Sequence, residues 1–298
     1  MTAVVEIEIL AEGLGHPEGP DVLRDGGILF VEADSGRVCV WYPDRAVVTL
    51  AATGGAPYGS TLGSDGWIYV TQSGANYGGH ALPRPQMPSI QRISPDGAVV
   101  QSVCSASNGE PYFAPNDLVW GRDGRLYFTD SGLWEPDNPT QSSAIHAVSA
   151  DGLAEKIIDL GPVFANGIGC EADGSIIWLE SYTRVIGRLR PDGRREVVAR
   201  LPAGQTPEGV AIDSEGNLWI TTFEAGLVAV LSRDGRTLRE IEVGGVPVNC
   251  TFVDDWLYVT DFGSPVDPGD EDSLRPGRLL RMRVDAKGMP MTRGFMRL

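Results

Sequence analysis

The sequence predicts an all-β fold, a six-bladed β-propeller with four antiparallel strands per blade. Two observations carry this. A unit made of an apolar strand, an acidic turn and a second apolar strand occurs six times in 298 residues, and one unit per ~50 residues falls in the range of propeller blades. In addition, no stretch sustains the hydrophobic periodicity of a helix.

The turns are Asp25-Gly26, Asp65-Gly66, Asp123-Gly124, Asp173-Gly174 and Glu215-Gly216, and the sixth, Asp254-Asp255, lacks the glycine. Asp-Gly between two β-rich apolar runs is a strong hairpin signal. Third strands are expected at 89–94, 144–148, 185–189 and 227–231, each before a further Asp-Gly turn, with fourth strands such as 196–199 and 240–243. Residues 4–10 alternate apolar and acidic, like an exposed outer strand. That strand is expected to complete the last blade and close the ring, which removes free sheet edges. The repeat runs through the whole chain, so residues 1–298 read as one propeller domain.

A hydrophobic content of 42% with 21% charged residues fits a soluble globular chain. The net charge of −16 argues against a nucleic-acid partner, which would need clustered Lys and Arg. No apolar run reaches the length needed to span a bilayer, and the first ten residues carry Glu6 and Glu8 but no basic residue, unlike a signal peptide. Cys39, Cys104, Cys170 and Cys250 are widely spaced and form no metal-ligand pattern. They read as buried thiols of a cytoplasmic protein.

A polar residue opens the first strand of each unit. Glu18, Tyr58, Asn116, Asn166 and Glu208 each precede the acidic turn by seven positions, and Asn249 precedes Asp255 by six. In a propeller the first strands line the central channel, so these six side chains are expected to ring one mouth at matching depth. Each taken singly also suits an ordinary turn; the shared register favours a site. Two carboxylates converging with amides repel and desolvate without a partner, and a hard divalent cation resolves this. Carboxylate and amide oxygens suit calcium, magnesium or manganese. One ion is expected, calcium first, with magnesium, manganese or zinc as alternatives.

These residues also carry a family resemblance. His16-Pro-Glu-Gly-Pro20, Pro115-Asn-Asp117 with Gly124-Arg-Leu-Tyr-Phe-Thr-Asp130, Ala165-Asn-Gly167 and Pro207-Glu-Gly-Val-Ala-Ile-Asp213 resemble the SMP-30/gluconolactonase/LRE-like family of regucalcin-type lactonases. The resemblance implies a catalytic divalent metal in the channel, held by Glu18, Asn166 and Glu208. Asn116 is implied as a further ligand or a contact to substrate during catalysis. The chain departs from the family's pattern twice. Glu208 stands where Asp is usual, and Ala114 stands where sugar-lactonase members commonly carry an Arg. Losing that Arg removes a bidentate clamp for polar substrate groups.

Connections from second to third strands should lie at the same mouth. The long ones contain Tyr77, His80, Trp134 and Phe262, and a short one carries Phe223. The approaches to the first strands add Tyr58, Phe113 and Phe164 beside Ala114. Together with Asn249 these are the expected contacts of a small-molecule substrate, in an aromatic vestibule over the metal. The acidic run 267–272 reads as a solvated loop. Asp130 ends a second strand near the mouth and is the candidate general base, although an Asp at a loop turn suits that place equally well. The expected chemistry is metal-assisted hydrolysis of a lactone less polar than an aldonolactone. Alternatives on the same site are carbon–carbon hydrolysis of a cyclic diketone, phosphotriester hydrolysis, and a non-catalytic ligand-binding propeller with a structural metal. Oligomeric state is not fixed by the sequence.

Overall fold

The computed structural model describes residues 5–74, 84–264 and 276–298. Six four-stranded antiparallel sheets form a six-bladed β-propeller. Blade 1 holds Pro17–Val22, Ile28–Glu32, Arg37–Tyr42 and Arg45–Ala52, and blade 2 holds Pro57–Leu62, Ile68–Gln72, Ser89–Ile93 and Val100–Cys104. Blade 3 is Pro115–Trp120, Leu126–Asp130, Ser143–Val148 and Ala154–Gly161, and blade 4 is Ala165–Cys170, Ile176–Glu180, Val185–Leu189 and Arg195–Arg200. Blade 5 is Pro207–Ile212, Leu218–Thr222, Leu227–Leu231 and Thr237–Glu242. Blade 6 has Pro247–Val253, Trp256–Asp261 and Gly277–Arg283, and takes its outer strand from the N-terminus.

That N-terminal strand is Ile7–Leu14, later than the expected 4–10. Its pairing runs from Ile7 opposite Met282 to Leu14 opposite Gly277, so the partner strand decides where it ends. Tyr77, His80 and the acidic run 267–272 lie outside the described residues. Among the described residues no helix is long and apolar enough to cross a membrane.

Second strands such as Ile28–Glu32 and Leu218–Thr222 are buried throughout, whereas the outer strand Thr237–Glu242 is mostly exposed. The core therefore lies between blades. Trp219, Val228 and Val230 of blade 5 pack against Phe252, Leu257 and Leu280 of blade 6. Ile28, Phe30 and Trp41 of blade 1 meet Tyr258 and Leu279 of blade 6 across the closure.

Two local devices aim the channel residues. Every first strand carries a bulge near its start. In blade 3, for example, Pro115 faces Asp130 while Leu118 faces Phe128, which leaves one extra residue at Asn116 and Asp117. Hydroxyls of one blade then hold the peptide groups of the next. Thr71 and Ser73 donate to the carbonyls of Asn116 and Pro115. Thr129 and Ser131 donate to Asn166 and Ala165, Ser181 donates to Pro207, and Thr221 donates to Val248.

These ties are testable. Thr129 accepts from the Asp117 amide at 3.1 Å and donates to the Asn166 carbonyl at 2.7 Å, fully buried. Thr129→Val keeps the shape and strands both groups, so it should cost about 1–3 kcal/mol in urea unfolding. A loss below about 0.5 kcal/mol would show that the hydroxyl ties do not hold the ring.

Candidate functional site

Aligning the blades on their pairing, rather than on their turns, corrects one expectation. Pro247 pairs with Asp261 as Pro115 pairs with Asp130, and Cys250 pairs with Val259 as Leu118 pairs with Phe128. The blade 6 counterpart of Asn116 is therefore Val248, and Asn249 sits one step deeper, at the level of Asp117. The Thr221 hydroxyl confirms this by binding the Val248 carbonyl, where its counterpart Thr129 binds that of Asn166. Asn249 does not share the depth of the ring. Val248 itself precedes Asp255 by seven, so the shared spacing holds for the ring position, and the count of six belongs to Asn249 because that side chain lies one step deeper.

The ring is thus Glu18, Tyr58, Asn116, Asn166, Glu208 and Val248. The level below holds Gly19, Gly59, Asp117, Gly167, Gly209 and Asn249. The glycines are obligatory there. A Cβ on Gly167 would lie 2.5 Å from the Glu208 carbonyl, and one on Gly19 would lie 2.4 Å from that of Tyr58. Only blades 3 and 6 place a side chain at this level. Asp117 and Asn249 meet there, with Asn249 Nδ2 donating to Asp117 Oδ2 at 3.4 Å. Strand alternation would turn Asp117 away from the channel, but the bulge overrides alternation. The signal for it was present in the sequence, as the one acidic residue in a column of glycines.

Glu18 is buried and Glu208 is half-buried at the mouth. Burial raises the Glu18 carboxyl above the usual range, and the charges of Glu208 and Asp117 raise it further. Burial likewise raises Glu208, opposed by a hydrogen bond from Asn166. Asp117 is raised by burial to about 6, against hydrogen bonds from Leu118, Ile168 and Asn249. Among the described residues, no Lys or Arg is a cause of the shift at any of the three carboxylates. Asn166 Nδ2 donates to the Ser181 hydroxyl at 3.2 Å, which fixes that amide and leaves its oxygen for another partner. No three His, Cys, Asp or Glu side chains among the described residues are grouped closely enough to hold a metal alone. Any ion here would need the amide oxygens of Asn116 and Asn166 as well. Two carboxylates and two amides on four blades, with no basic cause of their shifts among the described residues, fit a hard divalent cation.

Behind the ring the channel continues as a cavity of about 110 Å³ lined by Asp117, Asn249, Cys250 and Thr251. The C-terminal segment crosses its far end. The Met289 amide donates to Ile212, the Gly294 carbonyl accepts from Ser64, and Arg293 pairs with Asp21.

At the mouth, aromatic rings form a continuous arc. Tyr58 meets His16 at 5.6 Å, His16 meets Phe262 at 3.6 Å, and Phe262 meets Phe223 at 6.1 Å. Phe223 lies 6.4 Å from Trp134, which packs on Phe164 at 4.8 Å and Tyr182 at 5.2 Å. Trp134 is 40% exposed, whereas Phe164 is buried beneath it as support. Tyr182 escaped the sequence reading. Its hydroxyl donates to the Leu133 carbonyl at 3.1 Å and so ties blade 4 to the Trp134 loop. The usable signal is an aromatic within two residues of the second strand's end in blades 4, 5 and 6: Tyr182, Phe223 and Phe262. Phe113 is 36% exposed and lies outside this chain of contacts, and Ala114 is buried.

Asp130 does not join the carboxylates of the channel. Its two oxygens accept the amides of Phe113 at 2.9 Å and Ala114 at 2.6 Å. The same position in other blades is also polar: Glu32, Gln72, Glu180, Thr222 and Asp261 all sit opposite the residue that opens their first strand.

The sequence profile described as SMP-30/Gluconolactonase/LRE-like region matches residues 16–262. The chain belongs to this family. A gluconolactonase of Zymomonas mobilis is 25% identical over 284 residues, covering 83% of this chain and 75% of that protein. Lactonase drp35 of Staphylococcus haemolyticus is 25% identical over 260 residues, covering 82% and 74%. A calcium-binding protein, regucalcin, from Agrobacterium tumefaciens shares the fold with a TM-score of 0.77 at 17% identity, covering 99% of this chain and 98% of that one. The matched residues of this SMP-30/gluconolactonase/LRE-like chain include all six ring positions, while the C-terminal segment behind the cavity lies outside them.

The carboxylates make a prediction about the chelator-treated protein. A carboxyl with a raised folded-state pKa binds its proton more tightly when folded. The stability it gives is complete below the ordinary carboxylate range and is lost as pH rises through the folded value. The melting temperature should therefore fall as pH rises from about 4 through about 6, where Asp117 titrates, to about 8, where Glu208 titrates. Saturating calcium should flatten that slope, and Glu18→Gln should reduce it without calcium. A flat profile in chelator would refute the uncompensated-carboxylate account.

Proposed function

We propose that the protein is a divalent-metal-dependent lactonase whose substrate is less polar than an aldonolactone. The observation that carries this is a ring of carboxylate and amide side chains, without a basic partner among the described residues, at the base of an aromatic mouth. The lactonase names of the relatives support the reaction class, and the calcium-binding neighbour supports the ion.

Glu18, Asn116, Asn166 and Glu208 would hold the cation, which supplies Lewis acidity toward a carbonyl oxygen. The chain's residues do the rest. Glu18 and Glu208 balance a 2+ charge. Asn116 stands on the ring where its amide can orient the lactone. Asp117, adjacent to Asn116 and raised to about 6, suits acceptance of a proton from attacking water. We assign that role to Asp117 in place of Asp130, whose oxygens are committed to backbone amides. The aromatic arc excludes water and receives the apolar part of the ring. Ala114 offers no charged clamp for sugar hydroxyls. With its four free thiols the protein suits a reducing compartment such as the cytoplasm, with a small molecule as its partner.

The test is a pH-indicator hydrolysis screen of alicyclic lactones, sugar lactones, cyclic diketones and phosphotriesters with calcium, magnesium, manganese or zinc. Alicyclic lactones should be turned over with at least tenfold higher kcat/KM than gluconolactone, about 1.4 kcal/mol of discrimination. Asn166→Ala and Glu208→Ala should each lose on the order of 100-fold, as when a transition-state-stabilising group is removed. Full activity in both variants, or a preference for sugar lactones, would refute the reading.

A further inference from the structure

The lead-in to blade 3, between Cys104 and Pro115, is the longest approach to any first strand and contains its own hairpin, Ala106–Ser107 with Glu110–Pro111. The hairpin turns at Asn108 and Gly109, both with positive φ, and folds the segment back on itself. Tyr112 pins it down. Its ring packs edge-on to Phe128 at 5.0 Å and His146 at 5.2 Å, and its hydroxyl donates to the Ala106 carbonyl at 3.0 Å. The next residue, Phe113, projects from this anchored segment with 36% exposure, three positions before Asn116.

Beneath it runs a row of polar side chains. Ser107 Oγ lies 2.8 Å from His146 Nδ1, and His146 Nε2 lies 4.0 Å from Asp130 Oδ2. Asp130 takes the amides of Phe113 and Ala114, and the Ala114 carbonyl accepts from Ser131 at 3.0 Å. The row has the composition of a Ser-His-Asp triad but cannot act as one. Ser107 and His146 are 1% and 3% exposed, and His146 lies flat on Phe128 at an interplanar angle of 13°. Burial pushes the imidazole down to about 4, so it stays neutral. Elsewhere in the fold the position of Asp130 also anchors loops: Glu32 accepts the Gly15 amide in the approach to blade 1.

Resting on the lactonase reading, we propose that Ser107, His146 and Asp130 are positioning residues that fix Phe113 at the mouth, and that Phe113 selects lactones by the bulk of their apolar substituent. Phe113 is the exposed aromatic of the blade 3 approach, and two consecutive amides held by one carboxylate leave its backbone little freedom. A side chain held this way discriminates by size, because the wall cannot yield.

The experiment compares the parent with Phe113→Ala, Asp130→Asn, Ser107→Ala and the Asp130→Asn/Phe113→Ala double variant. Two alicyclic lactones serve as substrates, one unsubstituted and one with a bulky apolar substituent. Phe113→Ala should change the bulky-to-small ratio of kcat/KM by about tenfold, mostly through KM. Asp130→Asn should change it in the same direction, and the double variant should add nothing, because both act through one side chain. Ser107→Ala, the milder change, should give a smaller shift in that direction should Asp130→Asn not fold. Hydrogen exchange at the Phe113 and Ala114 amides should be slow in the parent and fast in Asp130→Asn. The proposal is overturned by equal kcat losses on both substrates in Asp130→Asn with KM unchanged, which would place Asp130 in the chemistry. An unchanged ratio in Phe113→Ala, or additive effects, would overturn it too. If the parent opens no lactone, the functional reading fails and the selection by Phe113 with it. The anchor is then judged by exchange alone, and unaltered exchange in Asp130→Asn refutes it.

Discussion

The close approach of the first strands around the axis is the constraint on which the rest depends. At the level just below the ring, Gly19, Gly59, Gly167 and Gly209 leave no room for a Cβ, because the next blade's backbone stands 2.4 to 2.9 Å from where it would be. This contact fixes the distance between blades, and the Thr and Ser hydroxyls fix their orientation. The ring side chains are thereby placed by backbone, on rigid elements, which is how a site keeps its geometry before any ligand arrives.

Against that glycine background, Asp117 and Asn249 are the exceptions, and they make the channel electrostatically unusual. Three carboxylates gather at and just below the mouth, with no basic cause of their shifts among the described residues, and each has its proton affinity raised. A protein does not gain stability from such an arrangement by itself. In the proposed function these carboxylates would be a preorganised site for a cation, and the destabilisation without the cation would be the cost of that preorganisation. Asn249 moderates it by donating to Asp117.

The mouth divides into parts with different work. One arc, from Tyr58 through His16, Phe262 and Phe223 to Trp134, is held by ring-to-ring packing. Phe113 stands apart from it and is held from below by hydrogen bonds to its backbone. An arc of packed rings adapts by small rotations, whereas a residue with its amide fixed does not. In the proposed reading this asymmetry gives Asp130 its part, through the Phe113 and Ala114 amides it accepts.

The repeat, the blade count and the polar residues Glu18, Asn116, Asn166 and Glu208 were legible in the sequence because hairpin turns and strand alternation are local properties of the chain. The closing N-terminal strand was legible for the same reason, though its limits were set by its pairing to Gly277–Arg283. What polarity misplaced was Asn249, because the seven-residue count before Asp255 falls on the apolar Val248 and the polar side chain stands one residue deeper. Asp117 was passed over because alternation fails at a bulge, and a bulge is visible only in the pairing of two strands. The contacts of Asp130 were the least legible. Its carboxylate could have pointed to the channel or to its own loop, and only the folded approach to blade 3, with two amides waiting at Phe113 and Ala114, settled which.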